Sequence, residues 1–317
     1  MRAVFLDRST LDDSVSLVPV ETQLSAISYY ESTPASKVIS RSRFADVILT
    51  NKVVISAEHI AQLPKLRLIL ICATGANNVD LAAAKKAGIG VCNVKGYSTS
   101  SVSQYVFAML LEYFQRTSEY LQNVKHGHWQ ESPIFCHFSN PINQLAGKTI
   151  AIIGYGTIGR NVAKIANAFD MKVLIAERKG SSSIRDQRVS FEQALSEADI
   201  VSLHSPLKPE TEQLINADTL RLMKSGSVLV NTARGGLINS EDLLQALKSK
   251  KLGAAILDVL EQEPPTADHV LLKSKLNNLM VTAHIAWGSL QAQQALVHIL
   301  ADNLSSFKNN ETLNRLV

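Results

Sequence analysis

The sequence has no long hydrophobic run, few cysteines and no cluster of like charges. Its most apolar stretch, residues 68–73, is far shorter than the roughly 18 residues that a membrane-spanning helix needs. The three cysteines, Cys72, Cys92 and Cys136, are widely spaced and include no CxxC pair, which argues against a disulfide framework. The chain reaches Asp7 before any apolar signal segment can form. The formal net charge is +4 with scattered basic residues, which argues against a nucleic-acid partner. Together with the cysteines, the N-terminus and the short apolar runs, this leads us to expect a cytoplasmic protein without a membrane partner.

Short apolar runs alternate with amphipathic stretches, a pattern that predicts parallel sheets covered by helices. A first series of predicted strands covers residues 2–6, 37–39, 47–49, 68–72 and 90–93. A second series begins at Lys148 and contains six runs, KTIAIIG, MKVLIAE, DIVSLH, SVLVNTA, GAAILDV and LMVTAH. The two series predict two α/β domains.

Two helical patterns lie outside these series, at residues 97–124 and 287–308. The first joins the two series, and the second follows the second series and can return to the first domain. We therefore expect a discontinuous first domain, residues 1–98 and 285–317, with a second domain of residues 99–284 inserted into it.

The segment GYGTIG matches the pattern G-x-G-x-x-G and lies between an apolar strand and an amphipathic helix. In that context Gly154 permits a tight turn, Gly156 lets backbone amides approach a pyrophosphate, and Gly159 lets the helix pack on the strand. The start of a helix also offers positive partial charge to phosphate groups. The motif predicts a dinucleotide-binding domain.

The next predicted strand ends at Glu177, 18 residues after Gly159. An acid at this position can accept hydrogen bonds from the adenosine ribose and repel a 2′-phosphate, which favours NAD. Arg178 and Lys179 follow directly and could accommodate that phosphate. NADP therefore stays open as the cofactor.

Three later strands are each followed by polar residues that together could form a hydride-transfer site. NTARGG places Arg234, LDVLEQEPP places Asp258 and Glu263, and TAHIAWGS places His284. Arginine can hold a carboxylate through two hydrogen bonds, and histidine exchanges protons near neutral pH. Each residue alone is more often structural, and no metal-ligand spacing is present, but their placement at successive strand ends favours catalysis.

These motifs, with ATGANNVDLAAA and GYSTSSVSQYVFAMLL, resemble the D-isomer-specific 2-hydroxyacid dehydrogenases over essentially the whole chain, and bacterial glycerate dehydrogenases (hydroxypyruvate reductases) most of all. The resemblance implies two Rossmann-like or flavodoxin-like parallel-sheet domains, with the NAD-binding domain inserted into the substrate domain. It implies that His284 is the acid or base, that Glu263 keeps His284 protonated and oriented, and that Arg234 binds the substrate carboxylate. Backbone amides around Thr74, Gly75 and Ala76 would complete the carboxylate site, and Asp258 would contact the nicotinamide. The remaining implied cofactor-binding residues are Gly154, Gly156, Thr157, Ile158, Gly159, Glu177, Ser205, Pro206, Thr211, Thr232 and Ala233.

The same resemblance implies reduction of hydroxypyruvate to D-glycerate and of glyoxylate to glycolate by a homodimer. The dimer interface would involve the helix that follows Ser98 and the aromatic loop after it. Another 2-ketoacid, a formate or phosphite dehydrogenase, a 3-phosphoglycerate dehydrogenase and a non-catalytic dinucleotide sensor on the same fold are the alternatives. The complete set Arg234, Glu263 and His284 favours an enzyme.

Overall fold

A computed structural model describes all 317 residues and divides them into two compact units. The first unit comprises Met1–Ser98 and Trp287–Val317, and the second comprises Thr99–Ala286. The chain returns to the first unit at Trp287, two residues after residue 285, the position expected from the sequence. No helix combines the length and the apolar character needed to cross a membrane.

The first unit is a five-stranded parallel sheet with helices on both faces. Its strands are β1 (Arg2–Phe5), β2 (Ala26–Tyr29), β3 (Val47–Thr50), β4 (Leu68–Ile71) and β5 (Gly90–Cys92). Its helices are α1 (Val18–Glu21), α2 (Val38–Ser42), α3 (Ala57–Ala61), α4 (Leu81–Lys86) and α12 (Leu290–Lys308). The order β2-β1-β3-β4-β5 is that of flavodoxin-like sheets.

The apolar faces of the sheet explain which helices pack on it. Helix α12 begins after Ser289, whose side chain accepts a hydrogen bond from the Ala292 amide. The fully buried Leu296, Leu300 and Leu304 of this helix pack in one cluster with side chains of β1, β3 and β4, and α1 contributes to the same cluster. Helices α2, α3 and α4 cover the opposite face. The C-terminal helix therefore completes the core of the first unit.

The strand predicted at residues 37–39 was wrong. This segment forms a 3-10 turn followed by α2, which buries Val38 against the sheet. The second strand is instead β2, which the sequence pattern missed. β2 lies at the edge of the sheet with largely exposed side chains, so it lacks the apolar run that marks a buried strand.

The second unit is a six-stranded parallel sheet. Its strands are β6 (Thr149–Ile153), β7 (Lys172–Ile175), β8 (Ile200–Leu203), β9 (Ser227–Asn231), β10 (Leu252–Leu257) and β11 (Leu279–Val281), so all six predicted strands are present. Its helices are α5 (Thr99–Gln115), α6 (Thr117–Lys125), α7 (Thr157–Ala168), α8 (Phe191–Glu197), α9 (Ala217–Leu222), α10 (Ser240–Lys248) and α11 (Val270–Lys273). The order β7-β6-β8-β9-β10-β11 places a topological switch between β6 and β8, where open sheets of this kind bind ligands.

The helical pattern at residues 97–124 is interrupted in the structure. Arg116 takes a left-handed conformation with φ of 53° and separates α5 from α6. Helix α5 buries Val106, Phe107 and Leu110 against the sheet of the second unit. Helix α6 has no buried residue, because the chain has turned away from the sheet at Arg116.

Candidate active site

The glycine turn joins β6 to α7 at the switch point of the second sheet. Gly154 has φ of +99°, and a Cβ there would lie 2.6 Å from the backbone carbonyl carbon of His204. A Cβ on Gly159 would lie 2.2 Å from the Gly154 oxygen, so helix and turn approach too closely for a side chain. A Cβ on Gly156 would meet no atom within 4 Å, which leaves that side of the backbone open to a ligand. The turn therefore fits the pyrophosphate of a dinucleotide at the start of α7, where Thr157 and Ile158 form the first turn.

The segment after β8 lies directly against this turn. The amide of His204 donates to the Ile153 oxygen at 2.7 Å, and Ser205 Oγ donates to the same oxygen at 3.2 Å. Thr211 Oγ1 then donates to the Pro206 oxygen at 2.8 Å and closes the segment into a turn. The structure thus brings Ser205 next to the glycine turn, with Pro206 and Thr211 in the same segment.

The residues after β9 include a buried hydroxyl without a partner. Thr232 Oγ1 is inaccessible to solvent and makes no hydrogen bond within the chain. Its neighbour Ala233 is held by a hydrogen bond from its amide to Asn231 Oδ1 at 3.0 Å. Asn231 also donates through Nδ2 to the Arg234 oxygen at 2.9 Å, which fixes the backbone of the predicted carboxylate anchor. The unsatisfied Thr232 hydroxyl is consistent with a ligand at this strand end.

Glu177 is buried at the end of β7 and is paired with an arginine that the sequence analysis did not single out. Arg185 donates through Nε to Oε2 at 2.7 Å and through Nη2 to Oε1 at 2.5 Å. The Arg178 amide donates to Oε1 at 2.9 Å. The bonds from Arg185, with that amide, lower the pKa of Glu177 to about 2. The exposed Arg178 and Lys179 side chains, by contrast, form no ion pair with Glu177.

His284 and Glu263 form a hydrogen-bonded pair at the carboxyl ends of β10 and β11. His284 Nδ1 lies 2.6 Å from Glu263 Oε2, and because a carboxylate only accepts, Nδ1 is the donor and Nε2 is left for another partner. The second carboxylate oxygen, Oε1, accepts from the Leu260 amide at 3.0 Å. Glu263 is therefore anchored to the backbone while it orients the imidazole, in the arrangement of an acid–base residue and its partner.

Asp258 organises the turn that carries His284. Its side chain is 1% exposed and accepts from Thr282 Oγ1 at 2.6 Å and from the amides of Ile285 and Ala286, each at 2.8 Å. The His284 amide donates to the Asp258 backbone oxygen at 2.8 Å, and His284 itself has φ of 55°. A left-handed conformation is unusual for histidine and persists only where surrounding bonds hold it. Asp258 supplies those bonds.

In the first unit, the predicted substrate segment follows β4. Thr74 Oγ1 donates to the Val94 oxygen at 2.8 Å, and Asn93 Nδ2 donates to the Thr74 oxygen at 2.7 Å. Gly75 and Ala76, which follow, are partly exposed. The segment is thus anchored to the chain after β5 and remains accessible.

Comparison with known proteins agrees with this geometry. The D-isomer specific 2-hydroxyacid dehydrogenase NAD-binding domain matches residues 107–286. The glycerate dehydrogenase of Methylorubrum extorquens is 40% identical over 96% of this chain and 96% of its own. The hydroxypyruvate reductase of Blautia hydrogenotrophica is 38% identical over 89% of this chain and 88% of its own.

Solved structures share both domains. A protein from Thermus thermophilus is 31% identical with a TM-score of 0.86. An acyclic imino acid reductase in complex with NADPH and D-Arg is 27% identical with a TM-score of 0.84. Each of these two matches covers 100% of both chains. The NAD-dependent formate dehydrogenase of Staphylococcus aureus in complex with NAD is 28% identical with a TM-score of 0.79, over 100% of this chain and 99% of its own.

The protein belongs to the D-isomer-specific 2-hydroxyacid dehydrogenase family. The resemblance found in the sequence is confirmed, as are the two parallel-sheet α/β domains and the assignment as an NAD(P)-dependent oxidoreductase. The neighbours hold either NAD or NADPH, so the preference between the two stays a prediction.

Proposed function

We propose that the protein reduces hydroxypyruvate to D-glycerate, with glyoxylate as a smaller second substrate that yields glycolate. The observation that carries the chemistry is the 2.6 Å bond between His284 and Glu263 at the carboxyl ends of β10 and β11. The substrate is supported by the glycerate dehydrogenase and hydroxypyruvate reductase relatives, which match along nearly the whole chain.

The second unit would hold the cofactor along the carboxyl ends of its strands. The amides at the start of α7, with Thr157 and Ile158, would bind the pyrophosphate. Glu177 would lie at the adenosine ribose, while Ser205, Pro206, Thr211, Thr232 and Ala233 would line the rest of the dinucleotide. Bound NAD(P)H would supply the hydride. The choice between NADH and NADPH would be made at Glu177.

His284 would give the proton from Nε2 to the carbonyl oxygen of the ketoacid, because its Nδ1–H is held by Glu263. The Glu263 carboxylate would stabilise the imidazolium and fix the ring. In the reverse direction Nε2 would accept the proton of the hydroxyacid. Arg234 would bind the substrate carboxylate through its guanidinium.

The 3-hydroxyl of hydroxypyruvate needs a polar partner, and the first unit offers two. The backbone of Lys52 is fixed by a hydrogen bond of its amide to Asp7 Oδ2 at 2.6 Å. The ring of Trp287 packs edge-on against Tyr97 at 6.1 Å between centroids. We infer that the Lys52 ammonium or the Trp287 indole N–H recognises this hydroxyl.

We also infer a cytoplasmic homodimer. Helix α6 and the loop after it expose apolar side chains, with Phe135 90% and Phe138 72% exposed. Exposed apolar side chains that are grouped in one patch are a common mark of an interaction surface, and closed two-fold dimers are the commonest assembly. Light scattering during gel filtration should give twice the chain mass for the wild type, and Phe135→Glu is measured beside it. If both proteins are monomers, the dimer is contradicted.

A crossed kinetic panel tests the activity. Hydroxypyruvate, glyoxylate, pyruvate and a bulky apolar 2-ketoacid are each assayed against NADH and NADPH, with His284→Gln as the background control. Hydroxypyruvate should exceed pyruvate in kcat/KM by at least about tenfold, because a buried polar group left unpaired costs about 1–3 kcal/mol. Equal use of pyruvate or preference for the bulky ketoacid would overturn the glycerate assignment. No turnover of any ketoacid would favour a dinucleotide sensor.

A further inference from the structure

The carboxylate of Glu177 has little capacity left for a ribose hydroxyl. Oε1 already accepts from Arg185 Nη2 and from the Arg178 amide, and Oε2 accepts from Arg185 Nε at 2.7 Å and from the Arg185 amide at 3.4 Å. A carboxylate offers about four lone-pair directions. A ribose hydroxyl could therefore join Glu177 only by displacing one of these donors.

Arg185 also neutralises the negative charge by which Glu177 would repel a 2′-phosphate. The Glu177 side chain is 3% exposed and that of Arg185 is 56% exposed, so one end of the pair is buried while part of the guanidinium stays accessible. Arg185 has five N–H donors, of which the two nearest Glu177 are used there. The remaining donors can bind an anion without breaking the pair.

A second arginine links this pair to the glycine turn. Arg188 Nε lies 3.9 Å from Glu177 Oε2, and its guanidinium lies over the ring of Tyr155 at 5.9 Å. Tyr155 stands between the first two glycines of the dinucleotide motif. The cationic groups therefore lie beside the end of the site where the adenosine would bind, rather than elsewhere on the surface.

The charge of the whole segment is positive. Residues 177–188 contain the acids Glu177 and Asp186 and four bases, which are Arg178, Lys179, Arg185 and Arg188. A dianionic phosphate approaching this segment meets a net positive charge, although the strand ends in an acid.

We propose that Arg185 determines cofactor specificity by neutralising Glu177 and binding the 2′-phosphate, so that the protein accepts NADPH despite its acidic strand end. The proposal rests on the cofactor site of the proposed function. The sequence pattern favours Glu177 alone as the residue that distinguishes a 2′-phosphate from a 2′-hydroxyl. In this proposal the Glu177–Arg185 pair makes that distinction.

Binding of cofactor fragments tests the proposal without turnover. The dissociation constants of 2′,5′-ADP and 5′-AMP are measured by titration calorimetry for the wild type, Arg185→Gln and Lys179→Gln. Lys179→Gln is the control for the alternative that the sequence offers, because it removes the same charge from a residue of the same segment that forms no ion pair with Glu177. Arg185→Gln should weaken 2′,5′-ADP at least about tenfold, equivalent to about 1.4 kcal/mol, and change 5′-AMP less than about threefold. The control should change both less than about threefold.

A conservative variant separates the guanidinium fork from simple charge. Arg185→Lys keeps the cation but cannot form two parallel bonds to a carboxylate, so it should give an intermediate loss of 2′,5′-ADP binding. It also serves if Arg185→Gln does not fold, since thermal melting is recorded for every variant. In the wild type and Arg185→Gln, the ratio of kcat/KM for NADPH over NADH should follow the 2′,5′-ADP affinities.

The results that overturn the proposal differ from those that overturn the proposed function. Wild type that binds 2′,5′-ADP at least tenfold more weakly than 5′-AMP would refute the role of Arg185, even with full activity on hydroxypyruvate. If Arg185→Gln and Lys179→Gln weaken 2′,5′-ADP binding equally, the effect is one of general charge, and a specific role of Arg185 is refuted as well. Tight 2′,5′-ADP binding without turnover of any ketoacid would instead leave the proposal standing and refute the activity.

Discussion

Replacing Asp258 with Asn should destabilise the second unit and slow catalysis while sparing cofactor affinity. The carboxylate accepts three hydrogen bonds, and an amide must present its NH₂ group to at least one of the backbone N–H groups of Ile285 and Ala286. One bond is lost and a buried N–H is left facing a donor.

The magnitude follows from those contacts. A lost bond to a charged group together with a buried unpaired amide costs about 3 kcal/mol. For a domain of this size that corresponds to a decrease in Tm of about 6–12 °C. His284 is held in its left-handed conformation by the same turn, so its ring should shift, and a shift of about 1 Å can cost on the order of 10²-fold in rate.

Thermal melting, kcat for ketoacid reduction and the Kd of NADH are measured side by side. Asp242→Asn is the control, because this partly exposed carboxylate bonds one amide, that of Ala217, and a surface change should alter stability by less than about 0.5 kcal/mol. If Asp258 contacts the nicotinamide directly, as the family resemblance implies, the Kd would instead rise with Tm unchanged. That result would refute the positioning role.

Three further changes test the rest of the site. His284→Ala should lower kcat by roughly 10²–10⁴-fold without altering the Kd of NADH measured by fluorescence, and an unchanged kcat would remove this residue from the mechanism. Gly156→Ala should fold normally but bind the cofactor more weakly. Gly154→Ala should also lower the Tm, because a Cβ at this position would clash with the backbone of His204. Equal Tm values for the two variants would contradict the turn geometry. Burial lowers the pKa of His204 from 6.5 to about 4. Between these pH values the folded state therefore binds fewer protons than the unfolded state. The free energy of unfolding should decrease by up to about 3 kcal/mol as the pH drops from 6.5 to 4. His204→Gln should remove that decrease in chemical-denaturation measurements, and an unchanged pH profile would show that other groups cause it.

Local sequence patterns predicted the second sheet well because its four inner strands, β6, β8, β9 and β10, are almost entirely buried. Each of its six strands is an apolar run, and the glycine turn carries its own spacing. The search for apolar runs missed the exposed edge strand β2. It also assigned residues 37–39 to a strand, because Val38 is buried, but Val38 lies on a helix.

Contacts between distant residues were beyond the reach of such patterns. Placement after successive strands suggested that His284 and Glu263 belong together, and the structure joins them at 2.6 Å. Nothing in the spacing showed that Arg185 folds back on Glu177, because that depends on the path of the loop between them. The burial of the Asp258 carboxylate in the turn around His284 depends likewise on tertiary bonding.

The position of α12 in the chain has a consequence for biosynthesis. This helix covers a face of the first sheet, against Leu68 and Leu70, yet the ribosome makes it only after the entire second unit. Until then the earliest strands lack part of their core, and that apolar face remains open to chaperones or to other nascent chains. Shortening the C-terminus should therefore unfold the part of the protein that is synthesised first, while the inserted unit, complete within one continuous stretch, keeps its own core.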